Sequence, residues 1–228
     1  SWFQKDNISA HYTLLDMPKN SLPAAIRRIR QEPSIHGGNV TTPFKVGFAN
    51  YCDVLSNEAK EIAAVNTFVK NDDNIITGYN TDAVALLCFL QKPEFQYLSG
   101  FPAIVFGTGG AAKASIWALS KFGVQEVEIA SSHSIRAKEF GEEIEKQFSI
   151  HVNAIYSYEK AVSEKSLKEK MIILANKKPL SFSYAQNIIS WNYQFDKCNK
   201  NEIITGAMLL EKQAELSYQI FENKMFKV

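Results

Sequence analysis

Four side chains and one glycine-rich turn carry the chemistry that this sequence can offer. Lys45 falls in the first turn of a helix expected after a short strand, where the positive end of the helix dipole eases loss of its proton. Standing alone, it reads equally as a solvated surface lysine. Asp82 opens another expected helix, and an aspartate there commonly serves as N-cap or first-turn acid. Asn66 taken singly is a turn residue beside a hairpin, and Gln213 is one polar residue on an amphipathic helix. The fifth feature is the stretch Ala103-Ile104-Val105-Phe106-Gly107-Thr108-Gly109-Gly110-Ala111-Ala112-Lys113-Ala114. Four apolar residues run into a glycine cluster and then into an Ala-rich helix former, which reads as buried parallel strand, tight turn and helix N-terminus. Bare backbone and free helix N–H groups suit a pyrophosphate. They also suit an ordinary strand-to-helix turn that uses glycine for close packing. The spacing is Gly-x-Gly-Gly-Ala-Ala rather than Gly-x-Gly-x-x-Gly, with Ala112 at the third small position.

The elements that must position these groups follow from periodicity. His11 to Met17 is rich in β-formers and predicts a strand ended by Pro18. Ser21 is a fair N-cap for a helix from Leu22 to Arg30, apolar at Leu22, Ala25, Ile26 and Ile29. Residues 35–42 read as a glycine turn and a brief strand, after which Pro43 suits N1 of a helix carrying Phe44, Val46, Phe48 and Tyr51. Ser56 can cap a helix through Ala64. Two β-rich runs between Val65 and Tyr79 flank Asn71-Asp72-Asp73-Asn74, a hairpin signal, and an apolar helix follows over Ala83 to Leu90. After Pro93 to Pro102 the pattern changes to strand 103–106, helix 110–122, strand 126–130, helix 134–148 and strands at 151–155 and 171–175. That alternation is the signature of a doubly wound α/β unit. An amphipathic helix over Ala207 to Phe221 closes the pattern.

Composition narrows the function classes. Twenty-five basic and 24 acidic residues nearly cancel, so no global charge steers the chain to nucleic acid or to an anionic membrane. No apolar run approaches the ~18 residues of a membrane span. Three cysteines (Cys52, Cys88 and Cys198) lie far apart without a Cys-x-x-Cys pair, as expected of a reduced, cytoplasmic protein. The four histidines share no ligand spacing, so no metal is assigned. The first residue is Ser1, and Trp2-Phe3 read like the middle of an element, so residues are expected to precede it.

The motifs acquire meaning in combination. Asn39-Val40-Thr41-Thr42-Pro43-Phe44-Lys45, Ala64-Val65-Asn66-Thr67, Gly78-Tyr79-Asn80-Thr81-Asp82 and the glycine turn at 107–114 closely resemble, in order and spacing, the shikimate dehydrogenase family. The resemblance runs from about His11 to Ala137 and resumes from Gly206 to Gln213-Ala214. It implies an α/β fold of two domains with a cleft between them. One is an α/β substrate domain (1–82, completed by 206–228); the other is a Rossmann-like, doubly wound NADP-binding domain (83–205). It implies reversible, NADP(H)-dependent hydride transfer between shikimate and 3-dehydroshikimate, a step of aromatic amino-acid biosynthesis on the chorismate pathway. By resemblance Lys45 takes or returns the hydroxyl proton and Asp82 pairs with it on the same hydroxyl. Thr41, Asn66, Tyr193 and Gln213 would hold the substrate. Gly107, Thr108, Gly109, Gly110 and Ala111 would carry the pyrophosphate, with Ser131, Ser132, Trp191 and Gly206 lining the rest of the cofactor site. The expected partner is the small-molecule substrate, and the expected state a monomer or homodimer.

Three segments depart from the family pattern. Its N-terminal Ser-x-Ser-Pro, which grips the substrate carboxylate, has no counterpart, and truncation upstream of Ser1 is the expected reason. Where the family reads Asn-Arg-Thr after the second Rossmann strand, this chain reads Ser131-Ser132-His133-Ser134. No arginine meets the 2′-phosphate there, and no Asp or Glu meets an NAD ribose; Arg136 lies further on. Leu174-Ala175-Asn176-Lys177-Lys178-Pro179-Leu180 replaces Asn-Ala-Thr-Pro-x-Gly-Met, and about a helix's worth of sequence is missing before Gly206. These departures keep two alternatives open: a quinate/shikimate dehydrogenase with relaxed choice between NADP(H) and NAD(H), and a catalytically weak paralogue acting as a ligand-binding module.

Overall fold

The structure, a computed structural model, describes residue 3 and residues 6–163, 165–176, 180, 182, 185–192 and 202–226. The chain forms two compact units, one of Ser1–Thr81 with Ala214–Val228 and one of Asp82–Gln213. The divisions fall inside two helices, at 81/82 and 213/214, whereas the resemblance implies 82/83 and 205/206.

In the first unit, α1 (Leu22–Gln31) buries the stripe Leu22, Ala25, Ile26 and Ile29, as the i, i+3, i+4, i+7 spacing requires. The Lys70 ammonium, itself buried, donates to the carbonyls of Ile29 and Glu32 at 2.7 Å each. A cation thus closes the negative end of that helix. Strands β1 (Gly37–Asn39), β3 (Thr67–Lys70), β4 (Ile76–Tyr79) and β2 (Val54–Leu55) lie in that order, the first two pairings antiparallel and the last parallel. The hairpin between β3 and β4 turns at Asn71–Asn74 as predicted, with Asn74 at φ 65° and the Asn71 Oδ1 accepting from Ile75 N at 2.8 Å. Helices α2 (Lys45–Ala49) and α3 (Asn57–Ile62) pack Phe48, Ala59 and Ile62 inward.

Two expectations fail here. Residues 11–17 form no strand: Leu14 is 93 % exposed and the run finds no sheet partner among the described residues. β-forming residues make a strand only where a neighbour takes up their backbone groups. Pro43 is not N1 either. Phe44 N bonds back to Thr41 O at 2.9 Å, so the chain turns through Thr41–Phe44, with a cis Thr42–Pro43 peptide, before the helix starts at Lys45.

Helix α4 (Thr81–Leu90) leads into the second unit, where a 3₁₀ segment spans Pro93–Gly100, a stretch with no predicted element. Its sheet is wholly parallel and is built from β5 (Ala103–Phe106), β6 (Glu126–Ala130), β7 (His151–Tyr156), β8 (Met171–Leu174), β9 (Asn187–Ser190) and β10 (Glu202–Ile204). The spatial order β10-β9-β8-β5-β6-β7 is the doubly wound Rossmann order. Helices α5 (Gly110–Phe122), α6 (Ser134–Phe148) and α7 (Tyr158–Ser163) occupy the crossovers. All four residues of β5 and of β8 are buried, as a sheet covered on both faces demands. Helix α8 (Gly206–Phe221) follows β10.

Arg30 joins the corner of the first unit by donating to Tyr51 O, Asn74 O and Asp53 Oδ1, each at 3.0 Å. The Arg30 hydrogen bond, aided by the Ile76 N–H, holds the Asp53 carboxyl below its ordinary range. Its contribution is therefore complete above the unfolded carboxylate value of about 4 and is lost as pH falls through the native one. Denaturation followed from about pH 6 down to about pH 2 should show a shallower acid loss for Asp53→Asn than for the parent chain. Identical acid limbs would remove Asp53 from the account.

Candidate active site

Asn66 is the residue on which the first unit's motifs meet. It lies just before β3 and is 3 % exposed. Its backbone carbonyl accepts from Val40 N at 2.7 Å, bringing in the Asn39–Lys45 motif, and its N–H donates to Tyr79 O at 3.0 Å. Its side chain takes the third motif: Oδ1 accepts from Thr81 N at 2.8 Å while Nδ2 donates to Thr81 Oγ1 at 3.0 Å. Because Thr81 is the first residue of α4, Asn66 satisfies a helix N-terminal donor from outside the helix. Next door, Val65 N donates to the carbonyl of Lys45 at 2.9 Å. Two segments remote in sequence are thus tied to two consecutive residues of a third.

A second, hydroxyl-rich layer backs this junction. Thr67 Oγ1 and Ser217 Oγ lie 2.8 Å apart, and Thr81 Oγ1 is 3.1 Å from Ser217. Asn39 Nδ2 donates to Thr67 Oγ1 and to Ser217 Oγ at 3.0 Å each. The sequence pattern singles out Asn66 but passes over Asn39, Thr67, Thr81 and Ser217. The available signal was a polar residue at the edge of an apolar run, too common to select. Gly78 in the third motif has a packing reason, since a Cβ there would sit 2.5 Å from Val65 Cγ2 and 2.7 Å from Cys52 Sγ. Burial pushes that thiol up to about 12, so Cys52 is an inert packing group.

The other expected substrate-side residues are distributed as follows. Lys45 is half-buried at the start of α2; Thr41 is exposed in the turn before it. Asp82 is 6 % exposed in the first turn of α4, where the helix dipole favours a carboxylate. Gln213 is half-buried on α8, its Nε2 donating to Leu210 O at 3.1 Å. Tyr193 lies outside the described residues.

In the second unit the glycine turn joins β5 to α5 at the point where the strand order reverses between β5 and β8. Gly107 has φ +129°, and a Cβ on it would meet Ala175 O at 2.7 Å, so backbone conformation and packing both demand glycine. Gly109 and Gly110 differ, for a Cβ on either would meet nothing within 4 Å. Their bareness leaves room before the N-terminus of a thirteen-residue helix, the space that a phosphate group requires. Thr108 is half-buried beside them and Ala111, in the first turn of α5, is half-buried too. At the end of β6, Ser131 is buried, and its Oγ accepts from His133 N at 3.2 Å, closing the strand-to-helix turn; Ser132 is exposed.

Two of the expected cofactor residues also make contacts within the unit. Trp191 is 7 % exposed and spends its indole N–H on Ser115 Oγ at 2.8 Å, pinning the end of β9 to α5. Gly206 begins α8 so close to Asn192 that a Cβ would stand 2.1 Å from that carbonyl. Among the described residues no group of three or more His, Cys, Asp or Glu can hold a metal ion, and no helix is long and apolar enough to cross a membrane.

In fold this is an α/β protein of two units, one built on a small mixed sheet and the other on a Rossmann-like, doubly wound parallel sheet. Residues 1–68 match the family described as the shikimate dehydrogenase substrate binding domain. A shikimate dehydrogenase (NADP(+)) of Caldanaerobacter subterraneus subsp. tengcongensis is 36% identical over 150 residues, which are 66% of this chain and 52% of that protein. The chain thus spans about half the length of the curated relatives it matches. A crystallised shikimate dehydrogenase in complex with NADP+ superposes with TM-score 0.81 at 21% identity, over 97% of this chain and 82% of its own. A shikimate 5-dehydrogenase from Listeria monocytogenes, in complex with shikimate and NAD, does so with TM-score 0.78 at 19% identity, over 97% and 84%. The likeness to the shikimate dehydrogenase family that the motifs carry is shown in sequence by the first two findings, and the crystal structures share the fold.

Because the Asn66 carboxamide is buried and answered at both ends, removing it strands Thr81 N and the hydroxyl cluster. Asn66→Ala should lower the unfolding free energy by about 3 kcal/mol, read by urea denaturation. A change below about 0.5 kcal/mol, the range of an ordinary surface substitution, would mean that the junction holds without it.

Proposed function

We propose that this chain is a shikimate dehydrogenase, interconverting shikimate and 3-dehydroshikimate with NADP(H). The observation that carries the reading is the junction at Asn66. The family's three substrate motifs are not merely present in order; they are hydrogen-bonded into one place. The open glycines before α5 support the cofactor half of the reading.

The cofactor supplies a nicotinamide ring that accepts or delivers hydride at a substrate carbon. The chain's own part is to orient the substrate and to manage one proton. Lys45 Nζ would receive the hydroxyl proton during oxidation and return it during reduction. Asp82 would accept a hydrogen bond from the same hydroxyl and fix the orientation of the lysine. Thr41 and Gln213 would hydrogen-bond the polyol. The role of Asn66 is then chiefly to hold the Lys45 turn and the Asp82 helix terminus, since its Oδ1 is already engaged by Thr81 N. Gly109, Gly110 and the first turn of α5 would receive the pyrophosphate.

Relaxed cofactor choice is favoured by one observation. At the end of β6 the chain offers serines and a histidine where a 2′-phosphate calls for arginine, and the Ser131 Oγ is already accepting from His133 N. Hydroxyls discriminate a phosphate dianion from a ribose hydroxyl far less than a guanidinium does.

Spectrophotometric assay of NADP+ and NAD+ reduction with shikimate and with quinate tests the reading; no turnover with any pairing would sink it. In active enzyme, Lys45→Ala should lower kcat by about 10²–10⁴-fold, with a much smaller change in KM. An unchanged kcat would take Lys45 out of the proton path. The ratio of kcat/KM for NADP+ over NAD+ should be below about 10, the scale of a single weak polar contact. A ratio of thousands would show that another group, such as Arg136, reads the phosphate.

A further inference from the structure

Ser217 lies on α8 one turn after Gln213, at the i, i+4 spacing that puts two residues on one face of a helix. It is 2 % exposed, and its hydroxyl carries α8 into the cluster behind Asn66. The Asn66 carboxamide gives that cluster a direction. Its Nδ2 donates to Thr81 Oγ1 at 3.0 Å, and its Oδ1 accepts from Thr67 Oγ1 at 3.2 Å. Thr81 then donates to Ser217 at 3.1 Å and Ser217 to Thr67 at 2.8 Å, which closes a ring through the three hydroxyls. Asn39 Nδ2 donates into the ring at Thr67 and at Ser217, 3.0 Å each. Every hydroxyl both gives and accepts, and members of such a ring polarise one another.

Alanine would be the better helix former inside α8, and a buried hydroxyl is tolerated only where it is paired. The Ser217 hydroxyl does what alanine could not, since it bonds α8 to the first residue of α4. Two substrate residues assigned above depend on that register. Asp82 follows Thr81 directly in α4, and Gln213 precedes Ser217 by one turn of α8. The chain leaves the first unit along α4 and returns to it along α8, and Thr81 and Ser217 stand on the first unit's side of both crossings. Asp82 keeps its setting without Ser217, because Asn66 Oδ1 also accepts from Thr81 N at 2.8 Å. For α8 the cluster supplies no second hold of that kind at Gln213.

Resting on the dehydrogenase reading above, we infer that Ser217 is a positioning residue for substrate binding. Its hydroxyl sets the rotation of α8 against α4, and with it the presentation of Gln213 alongside Asp82. Buried as it is, Ser217 acts through Gln213 and not on the substrate. Loss of the hydroxyl opens the ring and leaves that turn of α8 to apolar packing, which is non-directional. The cost falls on the grip of the polyol and not on the transfer of hydride or proton.

Steady-state oxidation of shikimate tests the inference in the parent chain, Ser217→Ala, Ser217→Cys, Gln213→Ala and the double variant Ser217→Cys/Gln213→Ala, alongside the thermal midpoint of each. Cysteine is nearly isosteric with serine but a weak hydrogen-bonding group, so it carries the test if the alanine variant does not fold. The expected result is a KM for shikimate raised about tenfold in Ser217→Ala and Ser217→Cys, with kcat within about threefold of the parent. The KM for NADP+ should be unchanged. In the Gln213→Ala background, Ser217→Cys should raise the KM for shikimate no further, as for two residues acting as one unit. A lowered midpoint with unaltered KM would overturn the inference by making the hydroxyl a purely structural group. Full multiplication of the two KM effects in the double variant would overturn it as well, and so would an equal rise in KM for NADP+. Each of these leaves the dehydrogenase reading intact, whereas a parent chain that turns over no shikimate with NADP+ or NAD+ would overturn both.

Discussion

One buried asparagine, through its backbone and its side chain together, gathers the first unit's motifs. Asn66 answers backbone groups of Val40, Tyr79 and Thr81, and through the adjacent Val65 the turn carrying Lys45 is held as well. The physical basis is the cost of leaving backbone polar groups unpaired away from water. A strand start, a turn and a helix N-terminus each have such groups, and they converge where no regular ladder can serve all of them. The carboxamide, with one donor end and one acceptor end on a short stem, serves the helix N-terminus at Thr81, while the residue's own carbonyl and N–H serve Val40 and Tyr79. The hydroxyls of Thr67, Thr81 and Ser217 form a second tier that ties the last part of α8 to the same point.

The second unit solves a different problem. Its central strands β5, β8 and β9 are buried on both faces, so their backbone can meet a ligand at the carboxyl edge of the sheet. There the glycine turn divides its labour. Gly107 is dictated by positive φ and by the closeness of Ala175, whereas Gly109 and Gly110 answer to no neighbour. Trp191 locks β9 onto α5 from behind, which fixes the helix whose N-terminus faces that edge.

Much of this was legible in the sequence, for identifiable reasons. The second unit's strand at 103–106 and its helices at 110–122 and 134–148 were readable to the residue because the apolar runs and glycine punctuation there are unambiguous. The strand expected at 11–17 was not real, since β-propensity reports side-chain fit and says nothing of whether a pairing edge exists. At the site, the motif order disclosed which residues belong together. It did not disclose how: nothing in the spelling of Asn66 tells that its side chain caps a helix fifteen residues on. Trp191 and Gly206, placed by resemblance in cofactor-lining positions, also have roles that no motif spells. Their roles inside the unit, an indole N–H given to Ser115 and a carbonyl 2.1 Å from any Cβ, are set by contacts that no local pattern encodes.

The engagement of Asn66 also bears on how such a chain would decay. A descendant that had abandoned hydride transfer would still be stabilised by a carboxamide at 66 and by bare α-carbons at 78 and 206, because each answers contacts within its own unit. Selection for stability alone preserves each of them taken singly; what speaks to turnover is the set that the three motifs form together. Thr41, by contrast, is exposed in the turn before α2. Drift would reach it first, so its identity is a historical record of whether the chemistry has been kept.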